Sequence, residues 1–345
     1  MVRLARVSCQ GPGLSRVRRG TGFAYRDPDG RPVTDPVVLE RIRSLVIPPA
    51  WQQVWICQVT NGHIQATGID ARGRRQYQYH DAWRLQRDLA KHDRILDFAG
   101  RLPAARQRMH ADLAVDGLGR TRVLACAVRL IDLGFFRIGG EQYASENQSY
   151  GLATLRKEHV RLTSAGELEF EYIGKSGRLW QRSLAEPEVG RVVSSLKRRR
   201  GGGPELLAFR DSGRWVDVKS GDINAYLREV TGGDDTAKDF RTWSATVLAA
   251  VGLAVSTHAD TSAARTRAIT RVVKEVADKL GNTPAVCRAS YIDPRIIDLY
   301  ADGQVVELSS LGDGASLGSP AFQGAIETAV LALLREPAAS SRLAG

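Results

Sequence analysis

The sequence predicts an α+β protein, with a small mainly-β domain at residues 1–90 and a larger mainly-α domain at residues 91–345. Three observations predict it. Up to Trp83 the apolar residues fall in short runs broken by turn residues, as in Val54-Trp-Ile-Cys57 and the turn Asp27-Pro-Asp-Gly30. From Ala82 to Leu133 they recur at helical spacing instead. Between His159 and Leu184 alternation returns, with Ser164-Ala-Gly166 and Gly174-Lys175-Ser-Gly177 as turns, which puts a small three-stranded sheet inside the helical domain.

In chain order, Met1 to Gly20 is basic and short of apolar periodicity, and reads as a mobile arm able to fold back on nucleic acid. A hairpin is expected from Phe23 to Val33. Asp35-Pro36 opens a helix through Leu45 with Val38, Leu39, Ile42 and Leu45 as its buried stripe, and Pro48-Pro49 stops it. Strands follow at Val54–Cys57, His63–Thr67 and Gln76–His80, the last behind a Gly-rich basic turn from Gly68. The helical region opens with a stripe through Trp83, Leu85, Leu89 and Ile95, with turns expected near Gly100 and at Gly117 to Gly119. Further helices are expected at Asp222–Val230, from Thr236 through Val255, at Asp260–Leu280 and at Pro320–Leu334. Gly281 signals a helix end, while Thr283-Pro284 and Asp293-Pro294 open two short helices. Tyr291 falls at their junction, where a side chain can be aimed into a cleft.

The 345 residues suffice for two domains with separate cores. A net charge of +11, carried largely by arginine, favours a polyanionic partner, nucleic acid first and an anionic membrane second. No run is apolar enough to span a bilayer, and the first twenty residues lack the apolar core of a signal peptide. The expected setting is therefore cytoplasmic and nucleoid-associated, with no membrane partner. Cys9, Cys57, Cys126 and Cys287 form no CxxC pair and the six histidines no HExxH, so no metal site is expected. A Walker phosphate loop and a GxGxxG fingerprint are also missing, and no cofactor is expected.

Several residues carry two readings. Arg137, between Phe136 and Ile138, is either half-exposed with apolar neighbours packed round its stem, or held rigidly by acids such as Glu141. A fixed guanidinium suits a phosphate. In the strand Gln76-Tyr77-Gln78-Tyr79 the tyrosines face one side, either onto a core or, with Arg74, as part of a ribbon laid in a DNA groove. Lys175, at a hairpin tip, is an ordinary solvated lysine unless a phosphate lies nearby. Lys197-Arg-Arg-Arg200-Gly-Gly-Gly203 reads as a solvated break. Lys238 and Arg241 share a helix face. Tyr291 by itself reads as a packing residue, because a phenol of pKa about 10 is a poor nucleophile unless donors and cations stabilise its target.

Taken together, Arg137-Ile-Gly-Gly-Glu-Gln-Tyr143, Tyr172-Ile-Gly-Lys175, Lys238-Asp-Phe-Arg241 and Ser290-Tyr291-Ile-Asp-Pro resemble the active-site blocks of type IB DNA topoisomerases. The resemblance is to the small poxvirus-like group with its bacterial members, and Gly73-Arg74-Arg-Gln76-Tyr77-Gln-Tyr79 is similar to that group's DNA-contacting strand. It runs from about Thr21 to about Tyr300. The resemblance implies that Tyr291 attacks a backbone phosphate, that Arg137 and Arg241 clamp its non-bridging oxygens, and that Lys175 protonates the leaving 5′-oxygen. Position 282 is usually histidine in the family; Asn282 can donate the same hydrogen bond without charge, which implies a weaker stabilisation. Tyr143 and Lys238 resemble phosphate contacts, and Arg74, Gln76, Tyr77 and Tyr79 groove and backbone contacts. The resemblance also implies double-stranded DNA as the partner, a bilobal clamp, a catalytic fold shared with tyrosine recombinases, and relaxation of both signs of supercoil; the expected state is a monomer. Two other readings are a tyrosine recombinase, whose HxxR block is here Lys238-Asp-Phe-Arg241, and a DNA-binding clamp without catalysis.

Overall fold

The computed structural model describes residues 3–141, 144–145, 148–256, 261–308 and 323–335. The chain divides into two compact units, Met1–Asp93 and Arg94–Gly345.

The first unit is built on a five-stranded antiparallel sheet of order β2-β1-β3-β4-β5, formed by β1 (Leu14–Arg19), β2 (Gly22–Arg26), β3 (Gln52–Ile56), β4 (Ile64–Ile69) and β5 (Arg75–Tyr79). Helix α1 (Pro36–Ser44) starts where Asp35 accepts the Val37 N–H at 2.8 Å. Its Ile42 is buried with Leu14, Val54, Ile56 and Ala66. The expectation of a mobile N-terminal arm is overturned, because β1 lies inside the sheet between β2 and β3. Only Leu14 of β1 is buried, so the strand shows no apolar alternation. Its Arg16 is structural, donating to the carbonyls of Ile47, Pro48 and Trp51 and lying 4.1 Å from the Phe23 ring.

The second unit begins within α2 (Asp81–Ala114) and continues with α3 (Arg120–Gly134). The turn expected near Gly100 does not exist; α2 runs through both Gly100 and Pro103. A mid-helix glycine costs about 1 kcal/mol relative to alanine, and burial of Phe98, Leu102, Met109 and Leu113 outweighs it. The stripe expected at Leu85 and Leu89 is also corrected, since both are exposed and the continuous core starts at Ile95.

A three-stranded antiparallel sheet follows, of β6 (Val160–Leu162), β7 (Leu168–Ile173) and β8 (Leu179–Leu184), then α4 (Pro187–Arg198). A hairpin of β9 (Ala208–Asp211) and β10 (Arg214–Asp217), which the periodicity did not indicate, separates α4 from α5 (Ser220–Thr231). The remaining helices are α6 (Ala237–Ala254), α7 (Ser262–Leu280), α8 (Pro284–Ser290), α9 (Pro294–Ala301) and α10 (Ala325–Arg335). Helix α6 is almost wholly buried, and its start is fixed by charge. Asp239 accepts from Thr236 N–H at 2.8 Å and from Arg94 at 2.7 and 3.1 Å, while Arg101 donates to Asp235 at 2.8 Å. Helix α10 is tied to α6 as well, through Trp243 Nε1–H donating to Glu327 at 2.9 Å.

Candidate active site

The junction holding Tyr291 forms as its caps require. Thr283 accepts the Val286 N–H to start α8, and Asp293 accepts the Arg295 N–H to start α9. Tyr291 caps α8, donating its N–H to Cys287 at 3.0 Å. Thr246 Oγ1 on α6 ties the junction down, donating to the Tyr291 carbonyl at 3.3 Å and accepting the Asp293 N–H at 3.1 Å. The Tyr291 side chain is partly buried.

Two cations from one face of α6 stand over that ring. The Arg241 guanidinium carbon lies 5.5 Å from its centroid and Lys238 Nζ 6.0 Å. Arg241 is 3 % exposed, and it donates to the carbonyl of Phe135 and to that of Leu280 at 2.7 Å. Phe135 ends α3 in the left-handed region at φ 58°, a conformation that costs a non-glycine residue about 1–2 kcal/mol. Burial first and the Arg137 charge second push the Arg241 pKa down to about 10, against the opposing pull of Tyr291. Arg241 Nε is buried with no hydrogen-bond partner among the described residues.

Arg137 is half-buried and donates to the Gly281 carbonyl at 2.8 Å and to Asn282 Oδ1. Burial lowers its pKa, with the charge of Arg178 adding to the effect. The acid expected to hold it is engaged elsewhere, because Glu141 accepts the Ser220 N–H at 3.0 Å. A carbonyl and an amide oxygen carry no charge, and among the described residues no carboxylate pairs with Arg137. The loop after α7 supplies both: Gly281 takes φ +63°, and a Cβ there would lie 2.4 Å from the Trp180 ring, so only glycine fits. With Oδ1 turned to Arg137, the Asn282 amide nitrogen is buried without a partner among the described residues.

Arg137, Arg241, Asn282, Lys238 and Tyr291 are thus brought together. Lys175 is exposed in the turn Lys175–Gly177 and makes none of these contacts. Its turn is anchored by Ser149 Oγ donating to the Gly174 carbonyl at 2.6 Å. Tyr143 lies outside the described residues. In the first unit, Tyr77 is exposed and stacks with Tyr79, ring centroids 6.0 Å apart, so Tyr77 does not face a core. Arg74 and Gln76 both donate to Asp70.

Sequence reasoning missed Arg182. It donates to the Lys279 carbonyl at 2.6 Å and lies 5.1 Å from the Trp180 ring and 5.6 Å from that of Phe135. It thereby fastens the hairpin bearing Lys175 to the end of α7 bearing Asn282. Nothing in strand spacing announces a carbonyl 97 positions away. Among the described residues, ligand atoms of His110, Glu186 and Glu188 come within 4.8 Å of one another. They sit on α2 and at the start of α4, elements without site residues, and Arg129 Nε 3.6 Å from Glu186 already supplies a cation.

Fold and site define a protein with an N-terminal antiparallel sheet unit and a larger helical unit that gathers arginines and a lysine round one tyrosine. The family model of the eukaryotic DNA topoisomerase I catalytic core matches residues 80–301, and that of the bacterial DNA topoisomerase IB N-terminal domain matches residues 22–70. The chain belongs to the DNA topoisomerase I family, in its type IB branch. It is 29% identical over 303 residues to DNA topoisomerase 1B of Acanthamoeba polyphaga mimivirus, across 84% of this chain and 87% of that protein. It is 22% identical over 269 residues to DNA topoisomerase 1B of vaccinia virus strain Copenhagen, across 75% of this chain and 79% of that one. With DNA topoisomerase 1 of Daucus carota it shares 30% identity over 129 residues, 37% of this chain and 15% of that protein.

Proposed function

We infer that the chain is a type IB DNA topoisomerase, relaxing positive and negative supercoils by transient cleavage of one strand. Tyr291 Oη forms a bond to a backbone phosphorus, the bond from phosphorus to the 5′-oxygen breaks, and a 3′-phosphotyrosyl link remains. The phenolic proton passes to solvent, and Lys175 gives its proton to the departing 5′-oxygen, sparing the expulsion of an alkoxide. Arg137, Arg241 and the Asn282 amide N–H hold the non-bridging oxygens, where charge gathers in the transition state. Religation runs the same steps backward and needs no ATP, because the link keeps the energy of the broken bond. Lys238 adds a phosphate contact, and Tyr143 is assigned the same part.

The observation that carries this reading is the stacking of two α6 cations on the one tyrosine held at a helix junction, beside an arginine that no carboxylate neutralises among the described residues. Unmatched cations in a half-buried site favour a polyanion. The sheet unit, 1–90, supplies further duplex contacts from Arg74, Gln76, Tyr77 and Tyr79, and residues 91–345 supply the chemistry. Both parts contact the same duplex, the enzyme acts as a monomer, and it works at the nucleoid. No helix among the described residues is long and apolar enough to cross a membrane.

The test is relaxation of supercoiled plasmid by the purified protein in chelator without ATP. Relaxation should proceed, and Tyr291→Phe should abolish it while leaving duplex binding within about twofold. Relaxation by the Phe variant would remove Tyr291 from the reaction.

A further inference from the structure

The turn between β4 and β5 is organised round one carboxylate. Asp70 Oδ1 accepts the N–H groups of Arg72 at 2.9 Å and Arg74 at 3.0 Å. Oδ2 accepts Arg74 Nε at 3.0 Å, an Arg74 terminal nitrogen at 2.7 Å and Gln76 Nε2 at 2.8 Å. These donors, the Arg74 side chain foremost, hold the carboxyl well below the usual carboxylate range. The Asp70 side chain is 16% exposed and that of Arg74 63%, so the acceptor sits inside the turn and the arginine outside it. Gly73 at φ +72° lets the chain reverse, and Gln76 lies opposite Gly68 on β4.

An ionised carboxylate only accepts hydrogen bonds. It therefore decides which end of the Gln76 amide turns inward, and the NH₂ group must face Asp70. Oε1 and the second N–H are then left for another partner, in a fixed order. That donor–acceptor pair complements the N7 and N6 edge of adenine in the major groove. Arg74, with Nε and one terminal nitrogen engaged, keeps its other terminal nitrogen for a phosphate, a contact that sets register without reading sequence. We propose that Asp70 is a positioning residue that confers site preference: it presents Gln76 to one adenine of the duplex while Arg74 anchors the neighbouring backbone. This rests on the reading of β5 as a DNA-contacting strand.

The experiment uses the full chain on a pool of randomised duplexes, with covalent cleavage sites mapped by sequencing the ends. The wild type should enrich adenine about tenfold at one fixed offset from the cut, the discrimination of one bidentate pair. Asp70→Asn keeps an oxygen for the turn but can offer an amide nitrogen to Gln76, so enrichment should fall below about twofold. Asp70→Glu keeps an acceptor-only group and should retain more of the preference than Asp70→Asn. A carboxylate that merely folds the turn would weaken all sites alike and leave the profile unchanged. An unchanged profile in Asp70→Asn, or no adenine enrichment in the wild type, overturns the proposal. Gln76→Ala tells the two failures apart. If it flattens the profile while Asp70→Asn does not, β5 reads DNA without Asp70. If it alters neither profile nor duplex affinity, β5 does not touch the bases and the underlying reading falls.

Discussion

Asn282 does two jobs that substitution can separate. Its Oδ1 accepts from Arg137, and its amide nitrogen is buried with no partner among the described residues. The first job fixes a guanidinium, and the second offers the phosphate a donor. Asn282→Ala loses both, although Arg137 keeps the Gly281 carbonyl at 2.8 Å. Loss of one preorganised donor to a developing oxyanion costs about 10²- to 10³-fold in rate, or roughly 2.7–4 kcal/mol. Asn282→Asp has nearly the same shape and still accepts from Arg137, yet it has no N–H and sets a negative charge against the phosphate. The assay is single-turnover cleavage of an end-labelled duplex, with equilibrium binding measured beside it. Cleavage by Asn282→Ala should slow about 10²-fold or more with binding changed less than about fivefold. Asn282→Asp should be at least as slow. A brisk Asn282→Asp enzyme beside a slow Asn282→Ala would show that Asn282 only holds Arg137, and the donor role would be wrong.

Other outcomes follow from the same geometry. Lys175→Ala should slow cleavage about 10²- to 10⁴-fold on ordinary DNA and far less on a duplex whose leaving 5′-oxygen is replaced by sulfur, which departs without a proton; equal losses on both would refute the general-acid role. Burial holds Arg241 at about 10. The cationic form is therefore intact below that value and is lost as pH rises through it, so kcat/KM for cleavage should fall above about pH 10, and a profile flat past that point would contradict it. Glu327→Ala leaves Arg106 without one carboxylate and the Trp243 N–H unpaired, and should cost up to about 3–5 kcal/mol, read as a lowered Tm. Gly281→Ala should cut cleavage sharply, because its Cβ cannot coexist with the Trp180 ring and the loop carrying Asn282 must move.

Much of this was legible in the sequence where the cause is local. The junction at Tyr291 follows from Thr283-Pro284 and Asp293-Pro294, whose caps form with their immediate neighbours. The sheet of β6, β7 and β8 follows from alternation and two turns. The rest depends on distant partners or on competing signals. Arg137 lies near Glu141 in sequence but pairs with a loop 144 residues on, while Glu141 caps backbone at Ser220. β1 is hidden by its three arginines, one of which, Arg16, spends its fork and stem inside the fold. The hairpin of β9 and β10 carries an Asp211-Ser-Gly213 turn signal, overshadowed by the basic, glycine-rich stretch before it. Gly100 is a turn residue by habit, overruled by the core face on either side of it.

The most direct measurement is to stop the reaction with detergent on end-labelled duplex, digest the protein and map the peptide that carries the nucleotide. A single adduct is expected, on Tyr291, joined to the 3′ end of the cut strand, with a free 5′-hydroxyl on the other side. Label attached to another residue, or cut strands whose 3′ ends carry no protein, would contradict it.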